Sequence, residues 1–132
     1  MFENLTVGLE KSVSMVVTES DTALAVGSGS LKVLATPKML ALIEKAAADL
    51  VEENLPEEWT SVGISLNVAH TAPTPVGMQI RAEAELVELD GRKIIFEVAA
   101  FDECGEIGCG RHERFIVNRE KFQLKADAKK NS

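Results

Sequence analysis

One stretch of this chain is suited to a long helix, and it limits which folds the rest can adopt. Met39–Glu53 contains neither Gly nor Pro and is rich in the helix formers Ala, Leu, Glu and Lys. Thr36 is a candidate N-cap, Pro37 suits the first helical position, and Pro56 follows the predicted end. A largely apolar helix without a second helix beside it can be buried only by a sheet that curls around it.

The segments on either side of the helix are typical of strands. Ser12–Thr18 is rich in β-branched residues, and Met78–Leu89 alternates between apolar side chains that face in and polar ones that face water. Asp90-Gly91 is a strong hairpin signal. The predicted strands are Ser12–Thr18, Val62–His70, Met78–Leu89, Arg92–Phe101 and Glu106–Val117.

The order of these elements predicts the fold class α+β, with one central helix wrapped by an antiparallel sheet. Such a sheet keeps exposed edges, so edge pairing in a homodimer, or further pairing into a tetramer, is expected. With 132 residues, the chain is expected to form one domain, 1–132. Residues 118–132 turn increasingly polar and are predicted to be a C-terminal extension with a frayed end.

Charge and cysteine content exclude several kinds of partner. The formal net charge of −7 argues against a nucleic-acid backbone or an anionic membrane as the main partner, because both are bound through basic patches. Neither a signal peptide nor an apolar run of about 18 residues is evident, so we expect a soluble, unexported, cytoplasmic protein. Cys104 and Cys109 have no further Cys or close His pair beside them, so neither a disulfide framework nor a metal site is expected.

The second predicted strand ends in a histidine. Period two sets Ile64, Leu66 and Val68 on one face of that strand and Gly63 on the other. His70 falls on the apolar face, where a Thr- and Pro-rich segment ends the strand. A histidine in this position is either a core residue with satisfied ring nitrogens or a catalytic one.

A carboxylate is similarly out of place on the predicted helix. Plotted at about 100° per residue, Glu44 falls on the flank of the apolar face, next to Leu40, Ala47 and Val51. Glu44 either leans outward to pair with a lysine one turn away or is buried beside a partner such as a histidine that holds it charged. Because the apolar faces of helix and strand should pack together, His70 and Glu44 are expected on facing surfaces, within one subunit or across a dimer.

Two further segments carry small residues. The run Gly27–Ser30 predicts a flexible loop just before the helix, either a plain connector or an active-site flap. In the last predicted strand, Gly108, Gly110, His112 and Arg114 share one face. The two glycines leave room for another backbone, a closely packed helix or a ligand, and His112 is expected at the surface or in an interface.

Three segments together carry a family resemblance. They are Ala35-Thr36-Pro37 with Glu44 eight residues on, Val-Ala-His-Thr-Ala-Pro-Thr-Pro at 68–75, and Glu-Ile-Gly-Cys-Gly-Arg-His-Glu-Arg at 106–114. In these segments the chain resembles the hotdog-fold thioesterases of the fluoroacetyl-CoA thioesterase type, with similarity from about residue 33 to residue 122. The resemblance implies a hotdog fold, in which a curved antiparallel sheet wraps one long helix, and a dimer.

The resemblance also implies roles for individual residues. Thr36, Glu44 and His70 fall on the family's catalytic Thr, Glu and His, and Gly63 and Arg114 match its substrate-contacting Gly and Arg. The implied substrate is a small acyl-CoA thioester. CoA enters as part of that substrate, and neither a separate cofactor nor a metal is expected.

These residue types suit thioester chemistry. A thioester carbonyl needs an activated nucleophile and hydrogen-bond donors for the developing oxyanion, which the N–H of Gly63 or the helix N-terminus beside Thr36 could supply. His70 can shuttle a proton near neutral pH, with Glu44 or Thr36 orienting it or activating water. The sequence leaves open whether Thr36, Glu44 or water attacks. Arg114 is a candidate ligand for the acyl or CoA group, or else a strand-surface cation.

One departure from the family concerns substrate range. The fluoroacetyl-specific enzyme carries aromatic lid residues just before the helix, where this chain has Gly27-Ser28-Gly29-Ser30. A broader acyl-CoA thioesterase is therefore expected. Two other functions on the same fold are a non-catalytic module that binds acyl-CoA and an enoyl-CoA hydratase or dehydratase.

Overall fold

The computed structural model describes residues 2–131 and places one long helix against a five-stranded antiparallel sheet. The elements are β1 Glu10–Val16, α1 Ala23–Val26, α2 Thr36–Glu52, β2 Trp59–His70, β3 Gln79–Asp90, β4 Lys93–Asp102, β5 Gly105–Asn118 and α3 Arg119–Asp127. The sheet order is β1-β3-β4-β5-β2, so β1 and β2 are its edges. The predicted α+β architecture is confirmed, and the strand bounds lie within a few residues of the predicted ones.

Helix α2 is held by burial of one face against the sheet. Ile43, Ala46 and Ala47 are fully buried, and Leu50 is 1% exposed. Removing a side chain the size of Leu or Ile from water contributes about 1.5–3 kcal/mol, before the entropy of ordering is counted. The outer side of the helix is charged, as the sequence predicts, because that side remains in water.

The start of α2 differs from the prediction in one respect. The N-cap residue is Ala35, not Thr36, and no side chain caps the helix. Thr36 is the first helical residue, with Pro37 beside it at the start. The Thr36 hydroxyl is therefore not used to cap the helix.

The meander forms as its alternation predicts. Ile80, Ala82, Ala84 and Leu86 are at most 2% exposed, whereas Gln79, Arg81 and Glu85 are exposed. The hairpin turn between β3 and β4 contains Gly91, whose φ of 61° is the left-handed conformation that glycine adopts without strain.

A β-bulge in β2 changes which of its side chains face the helix. The pairing of β2 with β5 shifts just after Gly63 and leaves Ile64 as the extra residue. Gly63 lies opposite Arg114 and Leu66 lies opposite His112, so Gly63 is on the same inner face as Leu66, Val68 and His70. The predicted placement of Gly63 on the opposite face, with Ile64 on the inner one, is therefore wrong.

Strand β2 is an exposed edge of the sheet. Ile64 is 52% exposed and Leu66 is 37% exposed, although Val68 packs against the core. A 12-residue edge strand with unpaired backbone groups is a surface on which another strand can pair. The predicted homodimer stays a prediction, and β2 offers it a suitable edge.

The predicted C-terminal extension contains the short helix α3. The side chain of Asn118 accepts a hydrogen bond from the Lys121 N–H and caps α3, none of whose residues is buried. The predicted frayed end includes Ser132, which lies outside the described residues. No helix within residues 2–131 is long and apolar enough to span a membrane.

Gly108 on β5 provides a test of the packing between helix and sheet. A Cβ at this position would lie 2.6 Å from the Ala69 carbonyl oxygen and 2.9 Å from Met39 Cε. Because the carbonyl belongs to the neighbouring strand and cannot move alone, we expect Gly108→Ala to lower the free energy of unfolding by about 1–3 kcal/mol. Equilibrium urea unfolding measures the change.

The matched control is Cys109→Ala, at the exposed neighbouring position. It should change the free energy of unfolding by less than about 0.5 kcal/mol. Equal stability of the two variants would contradict this description of the packing.

Candidate active site

Thr36 and His70 meet at the N-terminal end of α2. Thr36 is the first residue of the helix and His70 is the last residue of β2. Their side chains are hydrogen-bonded, with 2.7 Å between Thr36 Oγ1 and His70 Nδ1. The pairing is possible because the hydroxyl does not cap the helix. His70 thus lies on the inner face, as predicted, and its side chain contacts Thr36, a second predicted site residue.

The other ring nitrogen of His70 is buried. Nε2 has no hydrogen-bond partner among the described residues. If the Thr36 hydroxyl donates to Nδ1, the proton of the neutral ring is on Nε2, which is then a buried donor without an acceptor. Such a group costs free energy until an acceptor reaches it.

A cavity of about 320 Å³ opens beside this pair. Its walls are mostly small or apolar, and Ser28 brings the predicted flap loop to the same space. The base of the loop is fixed, because the Leu24 N–H donates to the Leu31 carbonyl at 3.1 Å. The lining residues are Ala23, Ser28, Val33, Leu34, Thr36, His70, Thr71, Ala72 and Pro73.

Two residues that were not predicted as site residues hold the cavity walls together. Thr74 is fully buried and donates its hydroxyl hydrogen bond to Asp102 Oδ2 at 2.8 Å. Its backbone carbonyl accepts from the Leu34 N–H at 2.8 Å. The segment that follows His70 is therefore tied both to the end of β4 and to the segment that precedes Thr36. No pattern in the sequence indicates this pairing, because the two partners are far apart along the chain.

Arg114 lies in a second polar cluster, under the middle of α2. It is only 6% exposed, so it is not a strand-surface cation. Its Nε donates to Ser61 Oγ at 2.8 Å and its Nη2 donates to the Ser61 carbonyl at 3.0 Å. Its Nη1 lies 3.6 Å from Glu44 Oε2. Burial lowers the pKa of Arg114, and the Glu44 carboxylate opposes that shift.

His112 is part of the same cluster and is completely buried. The expectation of a surface or interface position is wrong for the described chain, because the ring finds partners inside the fold. Nδ1 lies 2.8 Å from the Ser65 carbonyl oxygen, and Nε2 lies 3.2 Å from Arg114 Nη1. The ring stacks on Phe96 with 6.2 Å between centroids. Burial lowers the pKa of His112 below its ordinary 6.5, and the neighbouring Arg114 adds to the effect.

Glu44 borders this cluster and remains partly open to solvent. Its side chain is 41% exposed. A Cβ on Gly63 would lie 2.5 Å from Glu44 Oε2, so the glycine leaves the space in which the carboxylate sits. Glu44 is therefore neither fully buried nor paired with a lysine, because its cation is Arg114.

The structure brings the predicted site residues together in two groups. Thr36 and His70 form one group, and Glu44, Gly63 and Arg114 form the other. Glu44 follows Thr36 by eight residues, about 12 Å along the helix axis. A meeting of Glu44 with His70 inside one subunit is not observed, and a meeting across a dimer stays a prediction. In residues 2–131 no three His, Cys, Asp or Glu side chains are grouped so that they could hold a metal ion.

Comparisons with known proteins agree on one group of enzymes. The family model described as "Fluoroacetyl-CoA-specific thioesterase" matches residues 17–120. The fluoroacetyl-CoA thioesterase of Streptantibioticus cattleyicolor is 38% identical over 98 residues, which cover 74% of this chain and 70% of that enzyme.

Solved structures show the same similarity. A structure of the fluoroacetyl-CoA thioesterase has a TM-score of 0.88 at 32% identity, with 95% of this chain and 97% of that chain covered. A mutant of that enzyme in complex with acetyl-CoA gives 0.89 at 32% identity, with coverage of 95% and 98%. A thioesterase superfamily member from Thermus thermophilus gives 0.88 at 27% identity, with coverage of 96% and 93%.

The lowered pKa of His112 predicts how stability depends on pH. In the unfolded chain His112 takes up a proton near pH 6.5, whereas in the folded protein it does so only at lower pH. The contribution of neutral His112 is therefore complete above about pH 6.5 and is lost as pH falls towards the folded pKa. We expect the free energy of unfolding to decrease as pH falls below about 6.5, by at most about 1.4 kcal/mol per pH unit from this one group.

Urea unfolding at several pH values below about 6.5 measures how steeply the free energy of unfolding falls with pH. His112→Phe keeps an aromatic ring but cannot be protonated, so its stability should fall less steeply than that of the wild type. Identical slopes for the two proteins would contradict the buried, neutral state of His112.

Proposed function

The chain belongs to the family of fluoroacetyl-CoA-specific thioesterases, and on this premise we propose that it hydrolyses small acyl-CoA thioesters with Thr36, Glu44 and His70. As a member of the family it is a thioester hydrolase on the hotdog fold, which favours hydrolysis over binding alone or hydration of an enoyl-CoA. The observation that carries the residue assignment is the 2.7 Å hydrogen bond between Thr36 and His70 beside a cavity of acyl size.

The chemistry follows from the orientation of that hydrogen bond. When the Thr36 hydroxyl donates to His70 Nδ1, the ring can accept the proton as an oxygen attacks the thioester carbonyl carbon. The attacking oxygen is that of Thr36, or that of a water whose proton passes to His70 through the Thr36 hydroxyl. The C–S bond then breaks, CoA leaves as the thiol with the proton from His70, and in the Thr36 route water releases the acid from the acyl-threonine. The positive end of the α2 dipole stabilises the oxyanion.

The proposed substrates carry short acyl groups. The cavity beside His70, at about 320 Å³, is at the lower end of ligand-pocket sizes. Val33, Leu34 and Pro73 provide walls that suit a small hydrocarbon group. The Gly- and Ser-containing loop brings only Ser28 to the cavity, and a loop of small residues suits acyl groups of several shapes. Acetyl, propionyl, butyryl and aryl groups are therefore the range to test.

Glu44 joins the site in our proposal through a homodimer. Pairing of two β2 edges about a two-fold axis is antiparallel, so the Gly63 half of one strand lies beside the His70 end of the other. Glu44 of the partner subunit then approaches the Thr36–His70 pair, where His70 Nε2 has no hydrogen-bond partner among residues 2–131. The exposed Ile64 and Leu66 would be covered in the same interface. We place this enzyme in the cytoplasm, with neither nucleic acid nor membrane as its partner.

The catalytic pair is tested by release of free CoA thiol from a panel of short and aryl acyl-CoAs. We expect turnover by the wild type, and a fall in kcat/KM of at least about 100-fold for His70→Ala and for Thr36→Val, because both remove the proton path. Cys109→Ala is the control, since it lies outside both polar clusters. An active His70→Ala variant would rule out the assignment, and thermal melting checks that each variant is folded.

The composite site is tested by mixing two inactive chains. If Glu44 serves the partner's Thr36–His70 pair, a dimer of one His70→Ala chain and one Glu44→Gln chain contains one intact site and one doubly mutated site. Random reassociation of equal amounts should then restore roughly a quarter of wild-type activity. The control is each variant, His70→Ala or Glu44→Gln, dissociated and reassociated on its own, which should give no recovery. No recovery in proven mixed dimers would place the whole site within one subunit.

A further inference from the structure

His112 is a buried titratable residue to which the proposed chemistry gives no task. It lies at the centre of the inner face of β5, is fully buried, and has both ring nitrogens within hydrogen-bond distance of a partner. A histidine used only to fill space is replaceable by an apolar side chain of the same shape. A buried ring whose two nitrogens both form hydrogen bonds instead fixes the orientation of the groups that it binds.

The two partners allow only one neutral form of the ring. The Ser65 carbonyl oxygen can only accept, so the proton is on Nδ1 of His112, which donates to it at 2.8 Å. The Arg114 guanidinium can only donate, so Nε2 of His112 accepts from Nη1 at 3.2 Å. A protonated ring could not accept this hydrogen bond and would place two cations side by side. The charged groups that act on the ring are Arg114, Glu44 and Glu113.

The planar guanidinium group of Arg114 is thereby held on two sides. Ser61 binds Nε and Nη2, and His112 binds Nη1. Nη1 is also the atom nearest to Glu44, at 3.6 Å from Oε2. The His112 ring thus fixes the nitrogen that faces the carboxylate, and the partial exposure of Glu44 leaves that carboxylate accessible from solvent.

We propose that His112 is a positioning residue that acts through Arg114. As a buried neutral acceptor it holds the guanidinium in one orientation, and the guanidinium in turn holds Glu44 above Gly63. This inference rests on the proposed function, because Glu44 and Arg114 matter for catalysis only if the chain hydrolyses acyl-CoA. The bulge in β2 is part of the arrangement, since Ser65, the residue that follows the extra Ile64, provides the carbonyl that fixes the tautomer.

A double-mutant cycle tests whether His112 acts through Arg114. His112→Phe should lower kcat/KM by about 10- to 100-fold, because loss of one fixing contact displaces Arg114 and Glu44. In an Arg114→Met background the same change should alter kcat/KM by less than about two-fold. Equal effects in the two backgrounds would overturn the proposal.

Rescue separates positioning from filling of space. His112→Gln offers an amide oxygen as an acceptor near the place of Nε2 and should recover most of the activity lost in His112→Phe. Val98→Ala, on the neighbouring strand with its side chain in the core, is the control for lost packing. It should lower Tm and have the same small effect on kcat/KM with either Arg or Met at position 114. A His112→Gln variant as inactive as His112→Phe, although folded, would count against the proposal.

A spectroscopic measurement does not depend on activity. Long-range ¹H–¹⁵N spectra report imidazole tautomers, and the chain has only two histidines, so the His112→Phe spectrum assigns the remaining signal to His70. At neutral pH His112 should be in the Nδ1–H form, and an Nε2–H or charged ring would overturn the inference. If the wild type releases no thiol from the acyl-CoA panel, the proposed function is wrong. The tautomer of His112 still shows in that case whether its ring accepts a hydrogen bond from Arg114.

Discussion

Burial of one apolar face of α2 against the sheet determines where Thr36 and Glu44 lie relative to the polar groups on the strands. Ile43, Ala46 and Ala47 are fully buried, so the helix can neither rotate nor slide without exposing them to water. Thr36 at the first turn and Glu44 two turns later are carried by this same rigid element. A hydrophobic contact that takes no part in chemistry thus sets the positions of two groups that do, and tight packing makes those positions unique.

The two polar clusters differ in how they are held. The Thr36–His70 pair lies at the ends of two elements and depends on nearby loop contacts, above all the buried hydroxyl of Thr74 on Asp102. The Arg114 cluster lies on paired strands, because β5 pairs with β2 on one side and with β4 on the other, and this pairing fixes the backbone of the cluster. The first cluster lies beside the cavity and is partly exposed, which suits a group that must contact substrate. The second is largely buried, which suits groups that must keep one orientation.

The sequence was sufficient for the parts of the fold that follow from local patterns. The limits of α2, the hairpin at Gly91 and the inner face that contains His70 all follow from period and turn chemistry. The bulge at Ile64 does not, because one extra residue in a strand leaves the alternation on either side intact. His112 is buried on the inner face of β5, where its ring donates to the Ser65 carbonyl just after that bulge, so the partner that satisfies it is distant in sequence. Likewise, nothing in the pattern of α2 indicates that Thr36 binds a histidine rather than capping its own helix.

The extra residue in β2 has a consequence for how chains of this architecture can vary in length. Gly63 and Leu66 keep their faces because Ile64 is left out of the pairing and is half exposed. Loss of that single residue would convert the segment into a regular ladder and still leave every inward-pointing neighbour in place. Deletion of a paired neighbour would instead turn the side chains of one half of the strand to the opposite face, so Ile64 is the residue that this segment can lose without reversing its pattern.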